Sequence, residues 1–188
     1  DVYRDAGAVE RYVDALVREI ECGSPGESNR IPSLANSIGL ASLRASAIDT
    51  IYFGGGTPSL LESRQVGRIL SAVRDVFVVS ADAEITMEMN PATVTPESLA
   101  EYRELGVNRA SFGVQTFNDR DLKLLARGHD ANDARTTFRM LREAGFTNIS
   151  FDLIAGLPGQ TLKDWQRNLE EALSMHPEHL SLYLLEIH

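Results

Sequence analysis

The chain has 188 residues, with 18 Lys and Arg against 27 Asp and Glu, a formal charge of −9 at pH 7. An acidic surface repels nucleic acid and anionic membranes, and it also serves solubility. No apolar run reaches the roughly 20 residues of a membrane-spanning helix, and the opening DVYRDAGAVERY lacks the basic-then-apolar order of a secretion signal. One cysteine, Cys22, cannot close an internal disulfide or hold an iron–sulfur cluster alone. The reading is a single-domain, reduced, cytoplasmic protein with no membrane span and no nucleic-acid partner.

The elements fall in a regular order. Val9, Tyr12, Val13, Leu16, Val17 and Ile20 repeat at helical spacing, so 7–21 is expected to be an amphipathic helix. Residues 23–45 are rich in Ser, Asn, Gly and Pro and read as a surface loop, with a short helical stretch around 40–43. A strand is expected over 48–53, then a glycine turn, then a helix over 61–77 with Val66, Ile69, Leu70 and Val73 inward. Residues 84–89 alternate as a strand. Thr95 and Pro96 are a helix start signal, and Gly106 is placed to end that helix. A strand over 108–114, helices over 119–126 and 133–144, and a strand over 149–154 follow. Thr161 caps a helix to Met175 whose expected buried side is Leu162, Trp165, Leu169 and Leu173, and 179–187 reads as a last strand.

Strand and helix in alternation imply an α/β fold with parallel strands and right-handed crossovers. About five strands are legible, against the eight of a complete (βα) barrel of about 250 residues. An open doubly wound sheet also fits this pattern. Neither GxGxxG nor GxxxxGK[ST] is present, so dinucleotide and P-loop binding find no support.

Strand parity points to chemistry. Successive strand residues face opposite sides, so Ile85, Met87 and Met89 oppose Thr86, Glu88 and Asn90. Phe112 and Val114 oppose Ser111, Gly113 and Gln115, and Ile149, Phe151 and Leu153 oppose Ser150 and Asp152. The apolar sets should pack under helices. The other faces then carry Glu88, Gln115 and Asp152 near the C-terminal strand ends, where α/β folds place their sites. These three residues either line a ligand cavity or form an internally satisfied polar layer. The turn Gly54-Gly55-Gly56-Thr57-Pro58-Ser59 offers bare backbone groups to a ligand, although such turns are common before helices. His129 reads as a solvated loop residue, His176 and His179 have metal-like spacing without further ligands nearby, and 156–161 reads as a structural turn.

Taken together, Tyr-Phe-Gly-Gly-Gly-Thr-Pro-Ser-Leu-Leu (52–61), Glu-Ile-Thr-Met-Glu-Met-Asn-Pro (84–91), Ser-Phe-Gly-Val-Gln-Thr-Phe (111–117) and Asp-Leu-Ile-Ala-Gly-Leu-Pro-Gly-Gln-Thr (152–161) resemble one family in order and spacing. It is the radical S-adenosylmethionine (SAM) family of HemW-type heme chaperones and oxygen-independent coproporphyrinogen III oxidases. The resemblance implies a partial (βα)6 barrel holding SAM and a [4Fe–4S] cluster. It also implies SAM contacts for Gly55, Gly56 and Thr57 through the backbone and for Glu88, Gln115, Arg127 and Asp152 through side chains. Arg127 lies in a loop, where its alternative is a solvated surface charge. Glu186 aligns with a further contact position whose residue type varies in the family.

The chain departs from the family in having no CxxxCxxC cluster motif, so the metal ligands are absent from it, and no catalytic residue is assigned. Its first helix resembles the one that follows the cluster loop. Residues 1–188 are therefore expected to be an incomplete radical SAM core, truncated at both ends and lacking the first strand, the cluster loop and a C-terminal domain. The resemblance carries two functions: a chaperone that binds heme and passes it to acceptor proteins, or an enzyme that decarboxylates porphyrinogen propionates through a 5′-deoxyadenosyl radical. Details at Asn90-Pro91 and Gln115-Thr116-Phe117 resemble the chaperone branch. A third reading, outside the family, is a barrel enzyme using Glu88 and Asp152 as acid and base.

Overall fold

The computed structural model describes residues 6–22 and 47–185 of the chain. The loop expected over 23–45, Glu186, the end of the last strand at Ile187, and His188 lie outside the described residues. These divide into two compact units, one of residues 6–22, 47–51 and 61–84, the other of residues 52–60 and 85–185. The elements in chain order are α1 (Ala6–Cys22), β1 (Ile48–Phe53), a 3-10 turn (Pro58–Leu60), α2 (Ser63–Val76), β2 (Val79–Met89), α3 (Pro96–Leu105), β3 (Arg109–Gln115), α4 (Asp119–Leu124), α5 (Ala131–Glu143), β4 (Ile149–Ala155), α6 (Leu162–Ser174) and β5 (His179–Leu184).

In the first unit α1 lies on α2. Val13 and, on α2, Val66, Ile69 and Leu70 are buried. Glu10 and Asp14 of α1 pair with Arg64 and Arg68 of α2. These pairs are exposed and screened by solvent, so they set orientation more than stability. Tyr12, expected on the apolar face of α1, is 61% exposed. A capping box between Glu62 and Gln65 starts α2 two residues later than its apolar pattern suggests, because the 3-10 turn takes up the residues before it.

The strands run β1-β2-β3-β4-β5 across one sheet, and β2 through β5 pair in parallel. Their order across the sheet is the order of the sequence. A doubly wound sheet instead reverses its strand order at a switch point, so the barrel-type alternative is the one adopted. Thr95 caps α3 by accepting from the Ser98 N–H, and Gly106 ends it in the left-handed conformation.

The apolar parity sets form the core of the second unit. Met87, Met89, Phe112, Val114, Phe151 and Leu153 are all at most 2% exposed. Register places Met89 beside Phe112 and Phe112 beside Phe151. Phe138 of α5 meets the Phe151 ring edge-on at 5.2 Å, and Phe112 and Phe117 surround it at 5.9 and 6.4 Å. The expected buried face of α6 needs correcting. Leu162 and Leu173 are 75% and 58% exposed, whereas Asn168 and Ala172 are buried. The helix is rotated so that a polar side chain occupies its buried stripe, for the reason given below.

Phe151 touches three other rings, so truncating it opens a cavity that its neighbours cannot close. Phe151→Ala should cost about 3–5 kcal/mol, read from urea unfolding curves.

Candidate functional site

The polar faces of the second unit's strands converge on a cavity of about 390 Å³. Glu88 from β2, Ser111, Gly113 and Gln115 from β3, and Asp152 from β4 line it, together with Gly56 and Thr57 from the glycine turn and Arg127 from the loop after α4. Asn90 and the less polar Met89, Ile154 and Tyr183 complete much of the wall. Register explains the convergence: Glu88 lies beside Ser111, and Asp152 beside Ser181. Six of the seven residues expected to meet a ligand thus border one space. Gly55 does not line it, and its N–H bonds within the protein.

That N–H donates to Glu88 Oε2 at 2.9 Å, and the Tyr52 hydroxyl donates to Glu88 Oε1 at 2.8 Å. Glu88 is therefore partly satisfied internally, as the polar-layer alternative expected. A carboxylate has about four acceptor positions, however, so it keeps capacity for a ligand. Gly55 and Gly56 sit at φ +81° and +68°, a conformation that side chains with a Cβ resist. The turn is tied down further by Asn90, whose amide donates to Thr57 Oγ1 at 3.2 Å, and by a 2.7 Å hydroxyl contact between Ser59 and Thr93.

Gln115 reaches the cavity by a route that parity does not describe. The β3–β4 register slips between Phe112 and Gln115, and Gln115 stands opposite Leu153, whose side chain belongs to the core set. A slip of one residue should turn Gln115 away from the cavity. Its backbone compensates by adopting φ +66°, a strained conformation for a residue with a side chain. The amide then folds over Gly113, where an added Cβ would stand 2.9 Å from Gln115 Nε2 and 3.0 Å from Asn90 Oδ1. The turn that follows is held by Asn168 of α6. Its Oδ1 accepts the Phe117 N–H at 2.7 Å and the Thr116 hydroxyl at 3.2 Å. This is why Asn168, 3% exposed, occupies the buried stripe of α6.

Burial, above all, raises the pKa of Asp152 from its ordinary value. Ser181 opposes this, the Glu88 charge reinforces it, and Arg109 and Ser111 oppose it more weakly. Burial also raises the Tyr52 phenol, with the hydrogen bond to Glu88 next, so Tyr52 stays a donor. His129 is not the solvated loop residue expected. It is 8% exposed, its Nε2 has no partner among the described residues, and burial lowers its pKa despite a hydrogen bond with the Val114 backbone. His176 and His179 are exposed, and no group of three or more His, Cys, Asp or Glu among the described residues could hold a metal ion. Cys22 is free and exposed at the end of α1.

Sequence reasoning missed Tyr52, Asn90 and Asn168 as site-building residues. Each left a signal. Tyr52 lies one residue before the end of β1 on the parity of Gly54, Asn90 directly follows β2 on the parity of Glu88, and Asn168 interrupts the stripe of Trp165, Leu169 and Ala172.

A sequential parallel sheet with this cavity at its C-terminal strand ends defines part of a radical SAM (βα) barrel. The radical SAM superfamily profile matches residues 24–172, and the chain belongs to that superfamily. It is 45% identical to the heme chaperone HemW of Bacillus subtilis (strain 168) over 139 residues, 73% of this chain and 37% of that protein. It is 37% identical to the heme chaperone HemW of Synechocystis sp. over 177 residues, 94% of this chain and 39% of that protein. The solved coproporphyrinogen III oxidase (HemN) of Escherichia coli, described as a radical SAM enzyme, superposes with a TM-score of 0.76. It is 31% identical, over 94% of this chain and 37% of that one. The chain thus spans less than half the length of each of these relatives.

Two expectations follow from the geometry. Asp152 binds its proton more tightly folded than unfolded, so its contribution to stability is fully present below the ordinary carboxylate pKa of about 3.9 and is lost as pH rises through the raised value. Asp152→Asn should therefore raise the neutral-pH thermal midpoint and flatten its pH dependence, measured by calorimetry. Gly113→Ala must displace the Gln115 and Asn90 amides, and should cost about 1–3 kcal/mol on chemical denaturation.

Proposed function

We propose that the cavity binds SAM through Gly56, Thr57, Glu88, Gln115, Arg127 and Asp152, with Gly55 acting indirectly by holding Glu88. The observation that carries this reading is the convergence of those residues on one cavity of about 390 Å³, within the range of small-molecule sites. Its chemistry suits the ligand. Two carboxylates can take an ammonium group and a ribose diol, Arg127 can take a carboxylate, and the less polar wall around Ile154 and Tyr183 can take an adenine ring. When bound, SAM would supply the family's radical chemistry. The chain's own part is to orient it and keep water away.

The residues described do not fit an iron–sulfur cluster, since no suitable ligand group is present among them and the one cysteine is exposed. We therefore propose that the protein carrying this domain supplies a CxxxCxxC motif in sequence preceding Asp1. A gene whose upstream coding sequence lacks those cysteines would remove cluster chemistry from the assignment.

For that whole protein the proposal is a cytoplasmic heme chaperone that binds heme and delivers it to acceptor proteins. The support is the 37–45% identity to proteins named as heme chaperones, against 31% for the oxidase structure. The motif details at Asn90-Pro91 and Gln115-Thr116-Phe117 agree. The discriminating test is paired: heme titration by absorbance, and coproporphyrinogen turnover with SAM and a reductant. Stoichiometric heme binding without turnover is expected, and turnover without stable heme binding would establish the oxidase instead. In the same protein, Glu88→Ala should weaken SAM binding by roughly 10–100-fold in equilibrium dialysis, with the cluster absorbance retained.

A further inference from the structure

We propose that Tyr52 is a positioning residue of this cavity: its hydroxyl, with the Gly55 N–H, clamps the Glu88 carboxylate in the orientation that leaves its remaining lone pairs for the cationic amino end of the ligand. The inference rests on the SAM reading above and adds to it a residue on β1.

The geometry is specific. Tyr52 Oη donates to Oε1 and the Gly55 N–H to Oε2, so each carboxylate oxygen has one fixed donor. A glutamate side chain loses substantial rotamer freedom when a ligand immobilises it. Here that ordering is already done before the ligand arrives. The clamp also constrains the turn beside it. The Tyr52 ring lies so close that a Cβ on Gly54 would stand 2.5 Å from its Cε1. Gly54 thus makes room for the phenol, while Gly55 contributes its N–H to the same carboxylate.

Ser111 is the register partner of Glu88, and Ser181 of β5 is that of Asp152. A row of polar side chains, Tyr52, Glu88, Ser111, Asp152 and Ser181, thus crosses all five strands. Tyr52 is 57% exposed, and packing alone does not account for a phenol directed at a carboxylate. A phenylalanine would fill the same space without the hydrogen bond.

The test is a double-mutant cycle on the full-length protein. Binding of SAM and of adenosine, which lacks the amino-acid end, is measured by equilibrium dialysis for wild type, Tyr52→Phe, Glu88→Gln and the double variant. Tyr52→Phe should weaken SAM binding roughly tenfold and leave adenosine binding unchanged. In the Glu88→Gln background its further effect should shrink to within about twofold. Equal loss for SAM and adenosine, full additivity, or no loss at all would overturn the proposal. A ligand-independent readout separates it from the SAM reading. Ultraviolet titration of the phenols should show late-ionising tyrosines, the buried Tyr102 among them, of which one disappears in Tyr52→Phe and ionises earlier in Glu88→Gln. A wild type that binds no SAM but shows this titration refutes the SAM assignment and leaves the clamp standing. A Tyr52 phenol whose titration Glu88→Gln leaves unmoved refutes the clamp.

Discussion

The Glu88 carboxylate is the point where the glycine turn and the sheet are joined. One oxygen takes a backbone N–H from the turn after β1, and the other takes a phenol from β1 itself. Hydrogen bonds to a charged acceptor are stronger than neutral ones, and here they fix a turn whose glycines have the least intrinsic order of any residue. Without Glu88 the turn would lose its anchor beside the cavity, although Asn90 would still hold Thr57. The same carboxylate lies beside Ser111 in register and adds its charge to those acting on Asp152. Turn, strand ends and the second carboxylate are therefore parts of one electrostatic arrangement.

That arrangement depends in turn on the packing beneath it. Glu88 is flanked along β2 by Met87 and Met89, and Asp152 along β4 by Phe151 and Leu153, all fully or almost fully buried. Pleating commits neighbours on a strand to opposite environments, so anchoring the apolar set around Phe151 also aims the polar set. A one-residue register error would bury carboxylates and expose phenylalanines. Its cost far exceeds that of any single contact. The core thus acts as the alignment device for the site.

The cavity holds its strain at β3. Gln115 sits in the left-handed region, at a register slip, with its amide close over Gly113, where an added Cβ would displace it. Such conformations persist only when the surroundings over-determine them. Asn168 supplies that determination from α6, and His129, buried against Val114, adds to it from the loop that carries Arg127. A residue distant in sequence therefore holds the turn that follows Gln115 in this part of the wall.

Much of this was legible in the chain. Strand–helix alternation, the Thr95 and Gly106 helix signals and the parity of β2 and β4 are local properties, set by side-chain periodicity and backbone preference over a few residues. They were sufficient for a parallel α/β sheet, its apolar strand faces and the inward positions of Glu88 and Asp152, whereas the choice of a partial barrel over a doubly wound sheet came from the family resemblance. Gln115 was also expected there, but through a simple alternation that the register slip breaks. The rotation of α6, the burial of His129 and the use of the Gly55 N–H on Glu88 were decided only by tertiary structure. Each depends on which distant group supplies a hydrogen-bond partner or a packing surface. No local pattern shows that Asn168 will be spent on the Phe117 N–H, or that Tyr52 will meet a carboxylate 36 residues further along. Periodicity specifies which side of an element is buried on average, whereas the pairing of polar groups across elements fixes how that element is finally turned.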